Sequence, residues 1–451
     1  MRDLLLVIIV LVSVPVTLMQ PFAGVLVWQW VSLMNPHRLA WDFAYDLRVA
    51  LIVGATTIVA WIASRETKYP PTVPPVYWLI AFAIWISIST WFAIVPADAL
   101  AKWQQAIKIM CMTLVAMCMI TSRQRIHLLV WVVVASLGFY GVKGGLFSIL
   151  TGGVARVWGP PASFIGDNNA LALALLMILP LIRHLQTVST RRWVGVGLWV
   201  AAGLTVLAIL GTYSRGGVVG LAAMLPVLWL KGRQRLITGV LIVGVLAAAL
   251  PFMPEHWFAR MASIANIDTD ISMRGRTEAW TFAFRLALDH PIVGGGFRVF
   301  LDEDLFRHYV PQALTNRNFH SIYFEVLAEN GFVGLILFMG LGVSTMLTTW
   351  RIDRLTRGHE QLAWANSLAR MIQTAVIGYA VGGLILNFGF FDLYYTLVAL
   401  AVGTLQVVQR EMTGVRAGDA AAQRRAVAMG LRAASAPASG SLGAASAPSS
   451  S

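Results

Sequence analysis

The chain has 451 residues, of which 58% are apolar and 12% are charged, and its 34 Lys and Arg against 21 Asp and Glu give a formal charge of +13. A soluble domain carries about 25% charged residues, so this composition excludes a soluble enzyme and a disordered chain. A pI of 10.2 points toward nucleic acid, but with mean hydropathy +0.71 and repeated apolar runs the class that remains is an all-α polytopic integral membrane protein.

A membrane helix needs about 20 mostly apolar residues. The first 35 residues hold two shorter apolar stretches, 4–19 and 22–34, with Pro15 and Pro21 between them. With Arg2 inside, they count as one net crossing kinked at the prolines; the alternative is two full crossings and an outside N-terminus. A cleaved signal peptide is not expected, because no small-residue cleavage site precedes a soluble domain. Eleven further spans are expected at 48–64, 76–95, 104–120, 127–150, 168–187, 193–213, 216–230, 234–251, 329–350, 366–387 and 389–409. The total is twelve crossings.

Short cytoplasmic loops are enriched in Lys and Arg. Basic clusters follow alternate spans: Arg65 and Lys68, Arg123 and Arg125, Arg183 to Arg192, Lys231 to Arg235, Arg351 to Arg370, and the tail. With these inside, the inner segments hold 20 basic residues against six acids, or +14, and the rest of the chain is −1. The basic excess therefore records threading, with contact to anionic membrane lipids. Cys111 and Cys118 lie seven apart on one span, about 10 Å along a helix, too far for a disulfide.

Four parts follow: N-terminal transmembrane helices (1–251), a mostly helical periplasmic domain (252–328), C-terminal transmembrane helices (329–409) and a disordered basic cytoplasmic tail (410–451). The long outer stretch 252–320 has seven Arg, eight acids, four His and no Lys. Guanidinium grips carboxylate and phosphate in a bidentate fork. Residues 277–288 and 299–309 read as helices, separated by a turn at Gly294-Gly295-Gly296, and His320 falls at the outer end of the next span.

Four groups of residues could carry chemistry. Ser214-Arg215-Gly216-Gly217 puts an arginine in a short outer turn, where the charge rule disfavours it, and its glycines leave room for a ligand to approach the backbone. Arg274-Gly275-Arg276, followed by Glu278 and Trp280, suits an anion. Asn318-Phe319-His320-Ser321 precedes Glu325 and Glu329, neither of which falls squarely on a helical face shared with His320. Gly166-Asp167-Asn168-Asn169 opens a span and reads as an N-cap.

In this order, on this topology, the groups resemble the O-antigen ligase (WaaL) family, within the O-antigen ligase/polymerase superfamily. The resemblance rests on Ser214-Arg215-Gly216-Gly217, Arg276 with Trp280, Gly294-Gly295-Gly296-Phe297, and His320-Ser321 with Glu325 and Glu329-Asn330-Gly331. The family often has Asn where this chain has Ser321. The N-terminal part is also similar to O-glycosylation ligases associated with exosortase systems.

The resemblance implies an enzyme of the bacterial inner membrane with its site facing the periplasm. It would move a glycan from undecaprenyl pyrophosphate to a sugar hydroxyl of lipid A-core, with inversion and without metal or other cofactor. His320 is the implied catalytic base. Arg215 and Arg276, then Arg274 and Arg298, are the implied pyrophosphate ligands. Asn168, Asn318, Ser321 and Glu325 stand as substrate or supporting residues. The partners are the lipid-linked glycan, the lipid acceptor and membrane lipids, with no nucleic acid. An O-antigen polymerase and a protein O-oligosaccharyltransferase would use the same donor. Asp268-Thr269-Asp270 leaves a metal-dependent transferase open. A transporter would place ionisable residues and broken helices at mid-membrane.

Overall fold

A computed structural model describes residues 2–434 except 233–235, 237, 238, 241, 242, 245, 246, 248–250, 252 and 263–270. The described residues are helical, without strands. The helices are α1 (Arg2–Met19), α2 (Pro21–Met34), α3 (Val49–Ala63), α4 (Pro74–Trp91), α5 (Pro96–Met119), α6 (Arg123–Leu150), α7 (Asn168–Val188), α8 (Arg192–Gly211), α9 (Arg215–Lys231), α10 (Glu255–Ala262), α11 (Ile271–Asp289), α12 (Glu303–Tyr309), α13 (Ile322–Thr356), α14 (Ala363–Gly382) and α15 (Asp392–Ala434). Helix starts follow local chemistry. Proline opens α2, α4 and α5, where its missing N–H costs nothing. Ser122, Asp167 and Ser214 cap α6, α7 and α9 by accepting backbone N–H groups.

Seven helices among the described residues are long and apolar enough to cross a membrane, and α2 and α3 are shorter apolar helices. The protein is an all-α polytopic membrane protein. Helices α1–α9 and α13–α15 run between two faces. Arg125 pairs with Glu66, and Arg123, Arg183, Lys231 and Arg357 line one cavity at one end of the bundle, while His320 lies near Asp167 at the other end of α7.

The first 35 residues depart from the single kinked crossing. Asp3 Oδ1 accepts the backbone N–H groups of Asp42 and Ala44, at 3.2 and 3.3 Å, which brings the start of α1 beside the loop after α2. At the other end, the Arg125 guanidinium lies 5.0 Å over the Phe22 ring. Helices α1 and α2 therefore form a hairpin, and the chain begins on the His320 face. The hairpin packs tightly on α3: a methyl added at Gly24 would lie 2.5 Å from Thr17 and 2.3 Å from Thr57. Most of the span expected at 234–251 lies outside the described residues. At the other terminus α15 runs unbroken to Ala434, so 410–434 are helical where a disordered tail was expected; 435–451 lie outside the described residues.

Helix α13 is the spine of the unit on the His320 face, called the outer unit after its expected side. Gly331 breaks it, with φ 68° and ψ −174°, and the interrupted backbone groups must find other partners. The glycine turn supplies them: Gly295 N–H donates to Ala328 O at 2.8 Å and Gly296 N–H to Glu329 O at 3.0 Å. Ser89 Oγ also donates to Glu329 O, and Trp85 Nε1 to Asn330 O. The second outer helix expected at 299–309 is split: a 3₁₀ turn at Val299–Leu301 precedes α12, which Asp302 caps. Phe282, Phe306, Phe319 and Val299 form a small separate core that includes Ala328 of α13. The outer unit is thus an outgrowth of α13 and holds His320 against the helix ends.

Candidate active site

His320 sits between the outer unit and α13, with φ 47°. This left-handed conformation is uncommon outside glycine, though histidine tolerates it better than most residues. Its neighbours hold it there. Phe319 is fully buried in the small core, and its carbonyl accepts from Trp280 Nε1 at 2.8 Å. Trp280 in turn stacks on Phe324, with 5.2 Å between ring centres. Ser321 is buried and starts α13 through its carbonyl, which accepts the Glu325 N–H. Trp280 is therefore a clamp on the backbone of the histidine. Asn318 acts locally, its Oδ1 accepting the Phe319 N–H at 2.8 Å.

The charges around the imidazole come from four elements. Burial, and then the Arg276 guanidinium, lowers the His320 pKa below the ordinary histidine value. Asp167 opposes this, Arg317 adds to it and Glu325 opposes it again. The ring is thereby biased toward its neutral, proton-accepting form. It also lies within electrostatic reach of the α7 N-cap, α11, the 310–319 segment and α13.

Arg215 is the first residue of α9 and is buried. Tyr213 before it has φ 58°, and Ser214 Oγ accepts the Gly217 N–H at 3.1 Å. Asn168 joins this turn to α7, donating from Nδ2 to Thr212 O at 2.7 Å. The glycines after Arg215 do not open space for a ligand as expected. A methyl at Gly217 would lie 2.7 Å from Ala172, and one at Gly216 3.1 Å from Ile385. They let α9 press against α7 and the segment after α14, which fixes the arginine at a rigid helix start.

Arg276 is buried on α11, its guanidinium 3.4 Å from Met273 Sδ. Arg274 is mostly exposed and pairs with Glu278 at 3.2 Å. Between them, Gly275 lies against Arg317: a methyl there would fall 2.7–2.9 Å from Cδ, Nε and Cζ of Arg317. Arg317 thus crosses the backbone between the two predicted arginines and belongs to the same cationic group. Sequence reasoning missed it; its signal was an outer arginine three residues before the histidine.

A second missed residue is Lys102, on the first turns of α5. Its ammonium is bound by Glu325 Oε1 at 2.7 Å and by both Glu329 oxygens at 2.8 Å. The surplus negative charge finds backbone donors: Gly389 N–H to Glu325 Oε2 and Arg298 N–H to Glu329 Oε1, both 2.9 Å. Glu325 and Glu329 are one helical turn apart, so a single lysine reaches both. Arg298 itself has φ 57° and its side chain reaches Asp98 at 3.7 Å. It meets the site through its backbone, with its guanidinium beside the α5 start.

Among the described residues, no group of three or more His, Cys, Asp or Glu could hold a metal ion. Asp268-Thr269-Asp270 lies outside the described residues. Cys111 and Cys118 are both free thiols. The geometry brings together a buried histidine, the arginines Arg276 and Arg317 near it, and a carboxylate–lysine cluster that joins α5 to α13.

Residues 199–339 match a family model described as O-Antigen ligase, a range that includes Arg215, Arg276, His320 and Glu329. Residues 1–190, with Lys102 and Asn168, match a family of unknown function (DUF5935). No curated protein matches the chain.

Proposed function

We propose, from the match of residues 199–339 to the O-Antigen ligase family model, that the chain is an O-antigen ligase-type inverting glycosyltransferase of the O-antigen ligase/polymerase superfamily. The donor is a glycan on undecaprenyl pyrophosphate and the acceptor a sugar hydroxyl of lipid A-core. Both are amphiphiles, so their reacting groups meet at a membrane surface, here the periplasmic face of the inner membrane. The observation that carries this reading is the placement of buried His320 beside Arg276 and Arg317 near the helix ends, an arrangement that favours the neutral ring.

His320 accepts the proton of the acceptor hydroxyl as its oxygen attacks the anomeric carbon. The bond from that carbon to the pyrophosphate oxygen breaks, and undecaprenyl pyrophosphate leaves with the electron pair. Arg215, Arg276 and Arg317 stabilise the charge that grows on it, with Arg274 nearer solvent. One displacement inverts the anomeric centre. Asn168 and Trp280 hold Arg215 and His320 in place, and Lys102 with Glu325 and Glu329 fixes the α13 start.

The test is transfer by purified protein from a synthetic undecaprenyl-pyrophosphate glycan to defined acceptors. Lipid A-core should gain the glycan in EDTA. Glycan added only to another glycan would make the protein a polymerase, and glycan on serine or threonine a protein oligosaccharyltransferase. Activity abolished by EDTA and restored by Mg²⁺ would refute the metal-free mechanism.

A further inference from the structure

The opposite end of the bundle holds a cavity of about 940 Å³ at the ends of α6, α7, α9, α13 and α14. Asn168 and Thr187 stand at opposite ends of α7, whose 21 residues span about 30 Å. Arg215 and Lys231 likewise mark the two ends of α9. The cavity is therefore separated from the candidate active site by the thickness of the bundle.

Its lining has five cationic side chains, Arg123, Arg183, Lys231, Arg357 and Arg370, against two carboxylates, Asp353 and Glu360. The acids do not balance the cations. Asp353 is shared by Arg357 at 3.0 Å and Arg370 at 3.6 Å, and it also accepts from Asn366. Lys231 donates to the neutral Gln373. Arg123 lies 5.3 Å over the ring of Trp364 and reaches the His127 ring. Trp364 is 3% exposed, and its Nε1 donor has no hydrogen-bond partner among the described residues. A buried donor left unpaired costs free energy. Here it lies in the wall of a cavity with surplus positive charge.

We propose that this cavity binds a phosphate-bearing anion, and that the source is the headgroup of an anionic phospholipid. Guanidinium groups bind phosphate in a bidentate fork, and the cavity lies at the ends of α6, α7, α9, α13 and α14, where a spanning bundle would meet lipid headgroups. The remaining +3 is concentrated in one concave wall, which distinguishes it from the diffuse basic loops on that face. The proposal stands apart from the transferase reading, because its test reads binding and not transfer.

Native mass spectrometry of the full-length protein, released from micelles containing equal phosphatidylglycerol and phosphatidylcholine, tests it. Phosphatidylglycerol adducts should survive at activation energies that strip phosphatidylcholine. The pair Arg123→Gln with Arg357→Gln should weaken phosphatidylglycerol binding about 30-fold, at roughly 1 kcal/mol per cation. Both side chains are exposed at the cavity rim, so the pair should keep the melting temperature of the parent in lipid-free detergent. Arg65→Gln, on the same face outside the lining, should bind as the parent does. Equal retention of the two lipids, equal loss in Arg65→Gln, or unchanged retention in the pair would overturn the proposal. A separate titration with inorganic pyrophosphate distinguishes the source. Binding of pyrophosphate that depends on Arg123 and Arg357, without lipid selectivity, would overturn the lipid source and leave a soluble anion as the ligand.

Discussion

At the His320 face each positive group is set by a particular contact. Arg215 begins a capped helix, Arg317 lies across Gly275, and Lys102 is bound by two carboxylates. At the opposite face positive groups gather at loop after loop, and several share one acid or face neutral partners. The first arrangement is specific to positions; in the second the basic loops follow from how the chain is threaded, and the cavity gathers several of them in one wall. Charge number alone therefore says little about where chemistry occurs; the number of constraints on each charge says more. The same contrast explains why the total of +13 does not mark a polyanionic partner.

The contrast predicts its largest effect at His320. His320→Ala should cut turnover by about 10²–10⁴-fold, the range for loss of a general base, in a transfer assay on protein that elutes as the parent does. Arg65→Gln at the other face should leave turnover unchanged. Full activity in His320→Ala would remove the base role and with it the functional side of the contrast.

The next effect concerns stability. Lys102→Met leaves Glu325 and Glu329 buried without their cation, and breaking a buried charge network in this way costs about 3–5 kcal/mol. Thermal unfolding in detergent should show a large fall. Adding Glu329→Gln should recover part of it, because the remaining repulsion between carboxylates is then relieved. An unchanged melting temperature in Lys102→Met would mean that the lock is not structural.

Gly294→Ala should have a smaller effect, about 1–3 kcal/mol for a side chain held at positive φ. Gly294 has φ +69°, and an added methyl would lie 2.6 Å from the Gly331 amide. The expected outcome is a lower melting temperature with transfer reduced in proportion to unfolded protein. A large drop in turnover without loss of stability would show that the turn also shapes the substrate site.

Much of this was legible in the sequence, and the parts that were not share a cause. Apolar length marked the long apolar helices, glycine marked the turn at 294–296, and the motifs named His320 and Arg276, which lie within electrostatic reach of each other. Lys102 stayed hidden because its partners are 223 and 227 residues away, and local spacing carries no such information. Gly216 and Gly217 were visible but misread: the absence of Cβ serves a ligand and a neighbouring helix equally well, and only packing decides. Residues 1–35 were misread for a similar reason. Two short apolar stretches around prolines fit a kinked crossing or a hairpin, and the choice was made by Asp3 meeting the loop at 42–44.

The smallest effect is a displacement along the pH axis. A general base works only when unprotonated, so activity should fall on the acid side as His320 gains a proton. Burial and Arg276 lower its pKa, with Arg317 adding to them against Asp167 and Glu325. The acid limb of kcat/KM should therefore lie below the ordinary histidine range. Substitutions then move it in opposite directions. Arg317→Gln removes a charge that disfavours imidazolium and should shift the limb to higher pH. Asp167→Asn removes a charge that favours imidazolium and should shift it to lower pH, while the amide can still cap α7. Arg357→Gln at the far face should leave the limb in place, since about 30 Å of bundle separates it from the imidazole. Movement of the limb by Arg357→Gln but not by Arg317→Gln would show that overall charge, not the local arrangement, sets the protonation of His320.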